Sequence, residues 1–488
     1  MIDLVQAEYN EADNPEFAGN PFIEALPVEI QPADYPKSLS VFPPYSEEDR
    51  KRPLAKRLQL LQRISQLHIP TKEDALIMLS LRRCLNWGYV SRNPIGIDDV
   101  KRVLTERGFE VNEKLLQYFR RFNAPIYGFP VLGISGVGKT TSVDNILSLY
   151  PQIIEHHEYM GKKLETKQLV WLKVECPGDG TPKGLCHSIL NGIDMALDED
   201  YTERIVKNRM SKDVLLIKVS KLLHSLHLGE LFIDDIQNLV SAKSDVSAEL
   251  LSFMVALTNN LRIPVVMIGT PKIIKMLQTE FQMAKRATGE GEVRMSLMKD
   301  KSREWDIFLK VLWRYQFTAK PVKLTPSIKK AFFAESVGNP FIAAVLYKIV
   351  QDDAIINQTE SFKAADIHTV AERKLGLTAK KRRDMLEGID VELNSYKYLW
   401  SALTPPSSST TKDDESVSAA KRKDGKDDLQ RKFEQCLMQK CDIEVKEARR
   451  LIRKAMAAYP DETDIAKLMD YVETLLRQEQ TASGDTPV

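Results

Sequence analysis

The chain has 488 residues, 69 Lys and Arg against 68 Asp and Glu, and five cysteines. That charge balance leaves no global field to pull it onto nucleic acid or membrane, and no apolar run approaches the ~18 residues of a membrane span. Five unpatterned cysteines make no disulfide framework, and an acidic N-terminus lacks a signal peptide's basic start. The expectation is a soluble cytoplasmic protein of two or three domains with reduced thiols.

Charge is unevenly spread. Residues 1–50 hold eleven acidic and two basic side chains and the turn-rich stretches "NPFIEALP" and "FPPY"; they read as an extended acidic arm with apolar anchors Phe22, Ile23 and Leu26. Lys51 to Arg63 then carries five basic residues and no acidic one. A helical N-terminal region is expected over 51–122, with Thr71 and Asp74 forming a capping box ahead of "ALIMLSLRRCLNWGY", then short helices near Ile97–Arg107 and Asn112–Phe122.

Strand-like and helix-like segments alternate from 123 to about 300, the pattern of an α/β domain with a parallel sheet. The strands are expected at Phe129–Leu132, Leu169–Val174, Leu231–Asp234 and Val265–Ile268, each short and bulky as in a sheet covered on both faces. Helices fit at Thr181–Leu197, Lys212–Leu226 and Ser247–Leu261. Residues 301–403 read as a helical lid and extension. A Ser-, Thr- and charge-rich flexible linker is expected over 404–428, followed by a helical partner-binding tail at 429–488. His156–His157 falls in an expected loop, His224 and His227 one turn apart on a helix; neither pair, nor Cys436 with Cys441, has the further ligands of a metal site.

"GISGVGKTT", Gly133 to Thr141, matches G-x-x-x-x-G-K-[ST] between a strand and a helix. In such a loop the backbone of Gly133, Ser135, Gly136, Val137 and Gly138 closes around phosphate oxygens at a helix N-terminus. Lys139 reaches the β/γ phosphates, the Thr140 hydroxyl sits on Mg²⁺, and Thr141 completes the first turn. ATP and Mg²⁺ are the implied cofactors. Downstream, "ELFIDDIQNL" ends a strand in paired carboxylates: Asp234 suits Mg²⁺, and Asp235 is placed to polarise an attacking water. A further strand, "IPVVMIGTP", ends at Thr270, either a sensor of the γ-phosphate or a cap of the following helix.

These parts in this order resemble the AAA+ ATPases. "IDDIQ" is similar to the Walker B of the initiator and helicase-loader clade, and Asp235 in place of the commoner Glu implies slow hydrolysis. "NPFIEALP", "GISGVGKTTSVDNIL", "VECPGDGTPKGLC", "LFIDDIQNL" and "IPVVMIGTP" together resemble the TnsC-like AAA+ regulators of Tn-seven-like transposition, related to TniB, over roughly residues 15–375. That family resemblance implies a bacterial, DNA-associated ATPase that forms a ring or filament of its own copies on double-stranded DNA without reading sequence. It implies that the assembly links a TniQ- or TnsD-like target selector to a TnsB-like transposase and a TnsA-like endonuclease, and that ATP hydrolysis dismantles it. Two other readings stay open: a helicase-loader or initiator-like ATPase, and a nucleotide-stabilised recruitment scaffold with little hydrolysis.

The resemblance also implies an arginine finger acting across subunits, for which "FQMAKRATGEGEVR" offers Arg286, with Arg294 and Lys285 as substitutes. The lid's "SVGNPF" has Asn339 where many AAA+ proteins carry a second sensor arginine. Candidate DNA contacts are Thr181, Lys183, Lys207, Arg209 and Lys212. A near-neutral monomer binds DNA poorly, but six copies with two phosphate contacts each would already make ~12.

Overall fold

The computed structural model describes residues 4–115, 117, 126–206, 210–241, 244–274, 289–376, 454 and 472. Residues 1–403 and 404–488 form separate units; the expected linker and most of the expected tail lie outside the described residues.

Five parallel strands make the central sheet. They are β2 (Pro130–Gly133), β5 (Trp171–Glu175), β6 (Glu230–Asp234), β7 (Val265–Gly269) and β8 (Val293–Met295), in the order β5-β6-β7-β2-β8. Every residue of β2, β6 and β7 is buried. Successive side chains of a strand point to opposite faces, so continuous apolar runs feed two cores. Leu231, Ile233, Val265 and Met267 enter one, Phe232, Val266 and Ile268 the other. This is an α/β fold with a parallel sheet, as the alternation of segments predicts, and the four expected strands fall within two residues of those observed. β8 was not expected: three residues, Val293–Met295, give too short an apolar signal.

A smaller sheet joins β1 (Leu4–Gln6), β3 (Ile153–Tyr159) and β4 (Lys162–Leu169) in the order β1-β3-β4, β1 parallel to β3 and β3 antiparallel to β4. The expected loop at His156–His157 is therefore strand β3. His156 is fully buried, one ring nitrogen 2.9 Å from the Tyr9 hydroxyl and the other 2.9 Å from Gln168 Oε1. His227 likewise lies past its helix, in a left-handed conformation with φ 48°.

The helices used below are α1 (Pro21–Glu24), α2 (Lys72–Val90), α3 (Ile97–Glu106), α4 (Lys139–Leu147), α5 (Pro182–Leu197), α6 (Lys212–Ser225), α7 (Ser244–Asn260), α8 (Arg303–Leu312), α9 (Pro326–Ser336), α10 (Pro340–Ile356) and α11 (Ala364–Lys374). Side chains of α5, α6 and α7 fill one core; α2, α4 and the N-terminal segment fill the other. The Thr71–Asp74 capping box opens α2 as expected.

The first fifty residues are not an extended arm. Phe22 is fully buried, Leu26 nearly so, and Glu24 is buried with its carboxylate accepting from Arg107 Nη1 (2.5 Å) and Nη2 (3.0 Å), the Tyr159 hydroxyl (2.7 Å) and Gly19 N–H (2.9 Å). Gln168 Nε2 donates to the Phe22 carbonyl, and Asn20 Nδ2 to that of Tyr89. An acid-rich composition suggested a solvated arm; pairing Glu24 inside the fold removes that premise.

Nor is 51–122 one unit. Leu61 and Ile64 belong to the lid's core with Trp305, Phe332 and Tyr347, and Arg57 grips Glu360 through two 2.6 Å bonds. α2 packs instead beneath the central sheet.

Candidate functional site

β2, β6 and β7 are parallel, so Gly133, Asp234 and Gly269 leave the sheet at one edge, the carboxyl end where α/β sheets bind ligands. Gly136 and Gly138, at φ 83° and 101°, occupy backbone that favours glycine. A Cβ at Gly133 would stand 2.5 Å from the Met295 carbonyl oxygen, and one at Gly136 2.9 Å from Asn339 Oδ1. The loop is thus a cradle with β8 on one side and the lid on the other. Gly138 caps α4 with no side-chain bond, leaving first-turn N–H groups for an anion. Lys139 Nζ donates to the carbonyls of Gly133 (2.8 Å) and Ile134 (3.1 Å), folded over its own loop. Ser135, Thr140 and Thr141 are exposed at its mouth, while Val137 is buried beneath it.

Asp234 is 5% exposed. Its Oδ1 accepts from the Asp235 N–H at 2.8 Å, and its Oδ2 lies 3.5 Å from Lys173 Nζ. The same ammonium is 2.5 Å from Asp144 Oδ1. Lys173 reaches this place because β5 alternates: Leu172 and Val174 enter the core, so Lys173 faces the other way. Sequence reading passed over it, although a lone lysine in "VWLKVE" was the available signal.

Asp235 is exposed and left-handed, with φ 52°. Gln237 Nε2 donates to its Oδ1 at 2.8 Å, and Gln237 Oε1 accepts from the Thr270 N–H at 3.1 Å. Thr270 is the N-cap of a 3-10 turn at Pro271–Ile273, yet its buried hydroxyl makes no capping bond and, among the described residues, has no hydrogen-bond partner. A buried hydroxyl left unpaired costs free energy, so this atom suits a ligand or water at the sheet edge, and capping does not explain it.

The lid closes the third side. Asn339 Nδ2 donates to the Ser135 carbonyl at 3.0 Å, its Oδ1 accepts from Ile342 N–H at the start of α10, and Phe341 N–H donates to the Gly136 carbonyl at 3.3 Å. Asn339, which the sequence sets where a second sensor arginine would stand, touches the loop directly through a short amide.

The other candidate positions are less alike. Lys285, Arg286, Lys207 and Arg209 lie outside the described residues. Arg294 is on β8, its side chain 6% exposed and paired with Glu292, which leaves little of it to reach a neighbouring subunit. Thr181 is the N-cap of α5: its hydroxyl accepts from Gly184 N–H at 2.9 Å and donates to Asp179 Oδ2 at 3.0 Å. A Cβ at Gly184 would meet Asp179 Oδ1 and Pro177 Cβ at 2.8 Å each, so "CPGDGTPKG" is in large part a tightly built helix entry. Lys183 beside it is exposed, and Lys212 pairs with Glu249 at 2.8 Å. Cys84, Cys176 and Cys186 are buried and free. Burial pushes the Cys176 and Cys186 thiols up to about 12, so neither is poised as a nucleophile. Among the described residues no helix is long and apolar enough to cross a membrane.

Residues 129–277 match the AAA domain family. No curated protein matches the chain. Among solved structures it is similar to the Walker-type ATPase PABY2304 of Pyrococcus abyssi, at 14% identity over 60% of this chain and 83% of that one, with a TM-score of 0.34. It is also similar to the ORC1 protein of Aeropyrum pernix solved in complex with DNA (14% identity, 78% and 82% coverage, TM-score 0.36). Cdc6p of Pyrobaculum aerophilum follows at 18% identity, 57% and 68% coverage and a TM-score of 0.34. Likeness at this level carries no functional argument. The chain contains an AAA-type P-loop ATPase domain, and the carboxyl ends of β2, β6 and β7 described above lie within it.

Proposed function

From an AAA-type P-loop ATPase domain at residues 129–277, we propose that the chain is an ATP-hydrolysing switch. In this reading it assembles on double-stranded DNA with ATP, couples a target selector to a transposase, and is released by hydrolysis. The observation that carries the nucleotide part is the convergence of the glycine cradle, Asp234–Asp235 and the unpaired Thr270 hydroxyl on one sheet edge. A cradle that any Cβ would fill and an orphaned hydroxyl fit a nucleoside triphosphate with Mg²⁺. When bound, Mg²⁺–ATP supplies the reactive phosphoanhydride and the charge that polarises it.

The chain's own residues do the rest. Lys139 would exchange its two carbonyl partners for phosphate oxygens, and Thr140 and Asp234 would hold the metal. Asp235 orients water, and Thr270 senses the terminal phosphate through its hydroxyl. Asn339 ties the lid to the loop, so that occupancy of the loop can be felt in the helices of 301–375. A shorter carboxylate at Asp235 suits slow turnover, which a switch tolerates. The DNA and transposition parts rest on the motif resemblance, chiefly "NPFIEALP" and "VECPGDGTPKGLC". Lys183 and Lys212 are retained as candidate phosphate contacts, repeated by assembly.

The test is electron microscopy of the full chain with duplex DNA, comparing a non-hydrolysable ATP analogue with ADP. Rings or filaments with the analogue alone, absent in Lys139→Ala, are expected; single particles in both states would sink the assembly mechanism. Asp235→Asn is expected to slow turnover severely, to a measurable residual rate, and to lengthen the life of DNA complexes. Unchanged lifetimes would leave a scaffold.

A further inference from the structure

The geometry points to Gln237 as the residue that positions Asp235 for hydrolysis and couples it to the sensor strand; this rests on the hydrolysis reading above. Asp235 stands on an exposed turn with a side chain one methylene shorter than Glu, so its carboxylate needs holding. Gln237, two residues on, turns its amide back over the turn. Its Nε2 donates to Asp235 Oδ1 at 2.8 Å, while its Oε1 accepts from Thr270 N–H at 3.1 Å. The amide's orientation follows from its partners, since a carboxylate can only accept and a backbone N–H can only donate.

Two further features are built around this bridge. A Cβ at Gly269 would fall 2.7 Å from Gln237 Oε1 and 2.6 Å from Ile236 Cγ2, so only glycine at the end of β7 leaves the amide room. Asp235 adopts φ 52°, a conformation that disfavours a non-glycine residue, and there its N–H reaches Asp234 Oδ1. Ile236 N–H donates to the Ile268 carbonyl at 3.0 Å, fixing the turn against β7. One amide thus spans the metal-side turn of β6 and the sensor end of β7. A shift of Thr270 is transmitted to Asp235 through two hydrogen bonds. Gln237 is a positioning residue: it acts through Asp235 and touches no reacting atom.

The experiment measures steady-state ATP hydrolysis by the full chain, with and without duplex DNA, and the binding of a fluorescent non-hydrolysable ATP analogue. The proteins compared are the parent, Gln237→Met, Gln237→Glu, Asp235→Asn and the double variant Asp235→Asn/Gln237→Met. Gln237→Met keeps length without hydrogen bonds; Gln237→Glu keeps the acceptor for Thr270 but sets a carboxylate against Asp235. Both are expected to lower kcat roughly 10- to 100-fold, the scale of a misplaced catalytic group, with KM and analogue affinity within about threefold of the parent. The double variant is expected to be no slower than Asp235→Asn alone, which a general loosening of the fold would not produce. Parent-like kcat in both Gln237 variants, or multiplying losses in the double variant, overturns the inference while leaving hydrolysis intact. A parent chain with no turnover, unchanged by Asp235→Asn, instead overturns the hydrolysis reading, and this inference falls with it.

Discussion

Asn339 Nδ2 donates to the carbonyl of Ser135 at 3.0 Å, joining the first residue before α10 to the crown of the P-loop across 204 residues of sequence. The same side chain caps α10 through Oδ1 and Ile342 N–H, 3.2 Å apart. A single amide therefore serves two elements: its acceptor holds the lid helix, its donor holds the phosphate loop. An exposed arginine would answer to phosphate charge; a buried amide, 1% exposed, answers to the loop's own backbone position.

Asn339→Asp separates the two roles. The aspartate keeps a capping oxygen for Ile342 but turns a second oxygen toward the Ser135 carbonyl, replacing a donor with a repulsive acceptor. Nucleotide affinity is expected to change several-fold with little loss of α10. Asn339→Ala loses both bonds and costs about 1–2 kcal/mol of stability. Analogue titration and thermal denaturation, run on both variants, check this; a parent-like Asn339→Asp beside an impaired Asn339→Ala would show that only the cap matters.

Phe22→Ala is expected to destabilise the chain by about 3–5 kcal/mol, as for a buried aromatic leaving a cavity. Phe22 lies against Tyr89, His156 and His227, with ring centroids 5.6, 5.4 and 4.5 Å away. Deletion of residues 1–50 should therefore lower the melting midpoint of the core as well as remove any partner site. A truncated chain melting at the parent temperature would contradict the packed segment.

Lys173→Met removes the cation between Asp144 and Asp234. Asp234 is then buried beside an apolar side chain, and the metal-free chain is expected to lose about 1–3 kcal/mol, the scale of a buried polar group left unpaired. Mg²⁺ with nucleotide should restore much of that loss, because the ion replaces the missing charge. Melting curves with and without Mg²⁺–analogue test it: a deficit independent of metal would mean that Lys173 merely packs.

Half-buried His227 and buried Glu230 give stability opposite slopes in pH. Burial, helped by Arg92, His224 and His156, pulls the His227 imidazole down to about 4. Between an unfolded value of about 6.5 and that folded value, the unfolded chain binds a proton that the native chain refuses, so stability falls as pH drops through the window. Burial raises the Glu230 carboxyl well above its ordinary range. There the native chain holds a proton the unfolded chain has lost, so stability falls as pH rises. His227→Asn, which suits the left-handed backbone, should gain on the parent from pH 6.5 to 5, and Glu230→Gln from pH 5 to 8. Denaturation midpoints at the three pH values read both; parallel curves for parent and variants would refute the assignments.

Residue order alone determined the glycine-rich loop, the paired aspartates, the four bulky strands and the Thr71 cap of α2. Each of these is a local matter: glycines where backbone must bend, a run of apolar residues where both faces are covered, an acceptor three residues before its donor. The tertiary structure decided what depends on partners far away in the chain. Glu24 reads as a solvated acid until Arg107 and Tyr159 surround it, and Thr181 as a candidate DNA contact until Asp179 and Gly184 take its hydroxyl. Lys173 and Asn339 acquire meaning only when the sheet sets Asp234 beside one and the lid sets Ser135 against the other. Short β8, with three residues, carries too little pattern to be seen before β2 pairs with it. Periodicity and capping are written within a few residues, whereas burial of a charge or amide is tolerated only once a distant partner satisfies it.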